Sequence, residues 1–106
     1  MDTSAAAPKY LRVSIAHWRV DLFSKEAEHF FRQIETDGVS VFREQAGFIS
    51  YRLMRADGRT TVAVAEWQSE TLGREGAERY REWMRRVGIM DHISLETHAG
   101  EIVARS

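Results

Sequence analysis

Cysteine is absent from all 106 residues of the chain. Disulfides, thiolate metal sites and cysteine nucleophiles are thereby excluded, and a reducing compartment is permitted. No charge of one sign dominates: 15 basic and 16 acidic side chains leave a net charge of −1. That balance argues against a nucleic-acid or anionic-membrane surface as the main business of the protein. No apolar run approaches the length of a membrane span. The opening segment MDTSAAAPK lacks an apolar stretch and carries an acid at position 2, so it does not read as a secretory signal. Residues 1–8 read as a flexible leader, residues 9–106 as a single domain, and the cytoplasm as the expected location. Phosphate-loop, nucleophile-elbow and zincin motifs are missing. Proline occurs once in a chain that is 43% hydrophobic, as expected of one compact core.

What is present is periodicity. Tyr10 to Val20 alternates, with Leu11, Val13 and Ile15 on one face and Tyr10, Arg12, Ser14, Ala16 and Trp18 on the other. Ser24 is a candidate N-cap, and Glu26 suits the first turn of the helix after it. Ala27, Phe30, Phe31, Ile34, Gly38, Val41 and Phe42 form one stripe at helical spacing. Asp37-Gly38 is a point where this helix can kink or split, and Gly47 ends it. Phe48 to Arg55 and Thr60 to Trp67 read as a hairpin around Ala56-Asp57-Gly58. Ser69 caps a second helix whose inner face carries Leu72, Gly76, Tyr80, Trp83, Met84 and Val87; Gly88 stops it. Ile93 to Val103 reads as the last strand, with a candidate break at Gly100.

The order β-α-β-β-α-β predicts an α+β, ferredoxin-like domain: an antiparallel sheet with both helices on one face. The other face is expected to show Tyr10, Arg12, Ser14, Ala16 and Trp18. It is too apolar to leave wet and too polar for a dry core. Pairing two such sheets encloses a lined cavity and predicts a homodimer, which a monomeric mass by light scattering at micromolar concentration would contradict.

The stretch GFISYRLMRADGRTTVAVAEW from Gly47 to Trp67, running into Ser69-Glu70, resembles the antibiotic-biosynthesis-monooxygenase family of dimeric α/β barrels. The resemblance extends over roughly Val13 to Val103. The approach GVSVFREQAGF at Gly38 to Phe48 is similar to that of the small quinone-forming, cofactor-free monooxygenases of polyketide pathways. The resemblance implies a dimeric barrel, no cofactor, and a small aromatic or polyketide-like ligand. The quinone-forming members carry an asparagine and a tyrosine where this chain has Ala63 and Gly73. The haem-degrading members carry a histidine where this chain has Ala77. Alanine and glycine supply neither the amide hydrogen bond nor the proton of those residues. Only Trp67 matches.

The candidate catalytic residues are Arg52, Tyr51 and His17, and the candidate substrate-binding residues are Trp67, Trp18 and Arg12. Arginine inside such a barrel holds a phenolate, enolate or carboxylate through its fixed fork of donors; the alternative is an intersubunit salt bridge. Tyr51 and His17 are candidate proton carriers. Trp67 is either a wall against a flat ligand or a core residue at the strand–helix corner. Alternation puts Trp18 toward the cavity and His17 toward the helices, where a lone histidine is commonly structural; a one-residue bulge reverses the two. Tyr80 and Trp83 read as core, and Arg79, Arg81, Arg85 and Arg86 as an exposed face. His92, Glu96 and His98 share strand parity, but their span of roughly 20 Å is too long for one metal ion, so no metal site is expected. A non-catalytic binding or structural barrel, and cyclase or isomerase chemistry, are the alternatives to an oxygenase.

Overall fold

Alternating residues make Tyr10–Trp18 the first strand, β1, of a computed structural model that describes residues 9–106. The expected leader at residues 1–8 lies outside the described residues. Arg19 leaves the strand to donate to the His92 carbonyl, so β1 stops short of Val20. Ser24 caps helix α1, Lys25–Gln33, by accepting from the Ala27 N–H at 3.2 Å. A π-helical turn, Ile34–Gly38, links α1 to the short helix α2, Val39–Arg43.

The helix is therefore distorted at Asp37-Gly38 and not broken, and packing explains why glycine sits there. A Cβ on Gly38 would lie 2.9 Å from Cζ3 of Trp83. Gly47 has a φ of 79°, a left-handed value that glycine adopts without steric cost, and it turns the chain into strand β2, Phe48–Arg55. Strand β3, Thr60–Trp67, completes the hairpin. Ser69 caps helix α3, Glu70–Arg86, by accepting from Leu72 at 3.2 Å. A short 3-10 turn, Ile89–His92, leads into strand β4, Ile93–Glu101, which runs unbroken through Gly100.

The sheet order is β2-β3-β1-β4 with every neighbour antiparallel. This is the ferredoxin-like α+β arrangement that the element order predicts. No helix among the described residues is long and apolar enough to cross a membrane.

The expected assignment of the sheet faces is reversed in the structure. The helices cover the face with Ala16, Trp18, Ala65 and Trp67, all buried. Leu11, Val62, Val64 and Met54 lie on the open face beside Arg52. The helix-side residues explain the choice. Small floor residues leave room for helix backbone, and the two tryptophans bury large apolar areas only where a layer covers them. The open face is more uniformly aliphatic, so hydrophobicity alone points the wrong way.

A bulge in β2 changes which of its residues face the helices. Phe48 opposes Trp67 and Ser50 opposes Glu66, so the pairing shifts between them. Phe48 and Tyr51, of opposite parity, then both pack on Phe42, with ring centroids 5.6 and 4.5 Å away.

Candidate functional site

Four small residues at the middle of the sheet leave a hole beneath α3. Ser14 opposes Ala63, and Ala65 and Ala16 flank that pair on the same face. Ala77, Tyr80, Arg81 and Met84 of α3 close it from above. The resulting cavity has a volume of about 80 Å³ and a mainly apolar lining. It lies between the sheet and the helices of one chain, not between the sheets of two chains as expected from the sequence.

Arg12, Trp18, Tyr51 and Trp67 line this cavity. Arg52 is exposed on the opposite face of the sheet. His17 is also exposed and, by strand alternation, shares that opposite face with it. It points away from the helices, the reverse of its expected direction.

Arg12 is half-buried at one side of the cavity. Burial lowers the pKa of its guanidinium, the nearby positive charges of Arg81 and Arg74 lower it further, and Glu78 opposes the shift. Arg81 donates to Glu78 at 3.3 Å. Arg12 makes no ion pair with a carboxylate among the described residues. A guanidinium carries its donors in a fixed planar fork, the geometry that suits a carboxylate or phenolate.

Tyr51 stands on the other side. Its hydroxyl lies 3.4 Å from that of Tyr80, and Phe42 stacks on the Tyr80 ring at 4.2 Å between centroids. Burial raises the pKa of both phenols; the contact with Tyr80 partly offsets this at Tyr51 and adds to it at Tyr80. Both are thus neutral hydrogen-bond donors at physiological pH. A phenol whose folded pKa exceeds its unfolded value of about 10 stabilises the fold fully below pH 10 and loses that contribution as pH rises further. The urea midpoint should fall between pH 9 and 11 by more than in a Tyr51→Phe, Tyr80→Phe double variant. Equal falls would contradict this placement of the pair.

Trp18 donates from Nε1 to Thr61 Oγ1 at 2.9 Å, which fixes one end of the floor. Trp67 is fully buried and lies flat against Gly73 and Gly76 of α3. Its Nε1 is buried without an acceptor among the described residues. Trp67 is thus a core residue at the strand–helix corner that also lines the cavity. Ala63 is on the floor and Gly73 is under the indole, so neither position offers a polar group.

Two contributors escaped the sequence reading. Tyr80 lies in a core stripe, and its helical spacing gives no hint that its hydroxyl meets Tyr51. Arg81, interleaved with acids and so expected on an exposed face, is half-buried at the cavity. His92 packs on Phe30 at 5.0 Å, while His98 pairs with Glu96 at 2.7 Å. Among the described residues no group of three or more histidine, aspartate or glutamate side chains is placed to hold a metal.

No protein-family model and no curated protein matches the chain. Among solved structures it is similar to SnoaB, a cofactor-independent oxygenase from Streptomyces nogalater. That match has a TM-score of 0.69 and 18% identity, over 94% of this chain and 96% of the other. It is similar to HapK from Hahella chejuensis with a TM-score of 0.72 and 10% identity, over 92% and 95% of the two chains. A dimeric ferredoxin-like protein from an uncultured marine organism matches with a TM-score of 0.70 and 13% identity, over 93% and 99%. At these identities the likeness establishes the fold alone.

Proposed function

We propose that the protein is a cofactor-independent monooxygenase of the antibiotic-biosynthesis type, acting on an aromatic or polyketide-like small molecule held between sheet and helices. The observation that carries this reading is the half-buried Arg12, without a carboxylate partner among the described residues, at one side of an apolar cavity. The fold it shares with SnoaB supports it.

In this mechanism Arg12 stabilises a phenolate or enolate of the substrate, and the electron-rich ring carbon reduces oxygen directly. One CH₂ group and one O₂ give a carbonyl and one water, so the balance needs no outside reductant. The neutral Tyr51–Tyr80 pair donates hydrogen bonds to the oxygen that develops charge, and Trp67 holds the ring plane. Arg52 and His17 have no part in this mechanism.

The open aliphatic face around Leu11, Val62 and Val64 supports a homodimer, as does the dimeric description of a protein with the same fold.

A non-catalytic binding barrel is the second reading. The volume favours its purely structural form, because about 80 Å³ is well under the roughly 300 Å³ of ordinary ligand pockets. Oxygen uptake separates the two readings. Chelator-treated protein with a fused-ring phenol bearing an acidic CH₂ should consume oxygen above the protein-free rate. Conversion without oxygen uptake would point to cyclase or isomerase chemistry, and binding without conversion to the second reading.

A further inference from the structure

The cavity shares a wall with a larger space outside it. A groove of about 530 Å³ runs between α1, the π-helical turn and the edge strand β2. Ile34, Tyr51 and Leu53 line this groove and also line the inner cavity.

That wall is one side chain thick. Ile34 is the first residue of the π-helical turn, an element that recurs at functional sites because the extra residue distorts the helix. Tyr51 sits on an edge strand just after its bulge. The Tyr51–Tyr80 contact of 3.4 Å is long against the usual O–H···O separation of about 2.7–2.8 Å. Swinging the Tyr51 ring breaks only this long hydrogen bond, while its packing on Phe42 at 4.5 Å must be replaced by the ligand's own rings.

The sheet register gives the scale. Arg12 and Tyr51 both oppose Ala65, so the three residues form one row across the sheet. Two strand spacings put the Arg12 and Tyr51 backbones about 10 Å apart. Only an alanine lies on the floor between them. A ring system anchored at Arg12 and longer than one ring reaches Tyr51. Beyond it the groove offers Phe31 and Val39, with Arg55 over the Phe31 ring at 5.9 Å.

We propose that the groove is an outer subsite of the cavity, that Tyr51 is the partition between them, and that the joined site takes a fused-ring aromatic acid with its anion at Arg12. This rests on reading the cavity as a ligand site, but not on the oxygen chemistry.

The absence of cysteine makes the test direct. Glu35→Cys puts a single thiol on the exposed rim of the groove, and Glu82→Cys puts one on the exposed face of α3 as a control. Each variant is titrated with anthracene-2-carboxylate, which has three fused rings and one carboxylate. Indole fluorescence reports the inner cavity through Trp67 and Trp18, and the rate of thiol alkylation reports the groove. Both signals should change with one midpoint, and alkylation of Glu35→Cys should slow about tenfold at saturation while the control is unaffected. Adding Leu53→Trp at the shared wall should raise the midpoint for protection about tenfold. Quenching without protection, protection without quenching, or neither signal overturns the proposal; so does an unchanged midpoint in folded Leu53→Trp protein. An absence of oxygen uptake would remove the oxygenase reading and leave this result standing.

Discussion

Trp67→Ala should cost about 3–5 kcal/mol of stability, the range for truncating a fully buried aromatic residue. The indole is fully buried, and it packs edge-on against Phe42 and Phe48 with centroids 5.9 and 5.5 Å away. It also carries the weight of α3 through Gly73 and Gly76. For a domain whose whole stability is about 5–15 kcal/mol this is a large fraction of the total. Urea denaturation followed by far-ultraviolet circular dichroism measures the effect. A loss below about 1 kcal/mol would mean that this corner is not packed as described.

Gly76→Ala should also destabilise, although alanine favours a helix interior over glycine by about 1 kcal/mol. The new Cβ would collide with Cη2 of Trp67 and lie 2.6 Å from Cζ3. The ring is rigid and has Phe42 and Phe48 against it, so it cannot retreat without moving them. Overpacking of this kind costs about 1–3 kcal/mol, which outweighs the propensity gain. The same change made in a Trp67→Phe background should cost much less, because the colliding atoms are gone. Thermal melts of the four proteins would show it as a non-additive cycle. Additive effects would separate Gly76 from the indole.

These two residues also show what the sequence could convey. Alternation and helix caps determine element type and order, so the ferredoxin-like fold was readable from Ser24, Ser69, Gly47 and the Asp57-Gly58 turn. Gly76 reads as one member of an inner stripe and Gly73 as the position of a missing tyrosine, and only their contact with Trp67 makes them its seat. The sheet faces reverse the expected assignment for a related reason. Leu11, Val13 and Ile15 look more like core than Ser14 and Ala16 do. Yet small residues are what a helix layer with a cavity beneath it requires, and an aliphatic face is equally suited to a second copy of the chain.

The candidate site divided along the same line. Arg12, Trp18, Tyr51 and Trp67 converge because they share the helix-side face. Arg52 follows Tyr51 directly and so points the other way. The bulge between Phe48 and Ser50 sets which of the two turns inward, and no residue pattern announces a bulge. Tyr80 belongs to the site through a contact with Tyr51 at a separation of 29 residues, beyond the reach of local periodicity.

The central claim is that the ligand lies under the helices and is held at Arg12. Oxygen uptake with a fused-ring phenol bearing an acidic CH₂, compared across wild type, Arg12→Gln and Arg52→Gln, tests it most directly. Both substitutions remove one positive charge, and each variant's fold is checked by its melting curve. Arg12→Gln should lower turnover about a hundredfold, as expected when a group that stabilises the developing anion is removed. Arg52→Gln should stay within about twofold of wild type, since Arg52 lies across the sheet from the cavity and touches none of the reacting atoms. The reverse pattern, with Arg52 essential and Arg12 dispensable, would place the chemistry on the open face between two sheets and contradict the account.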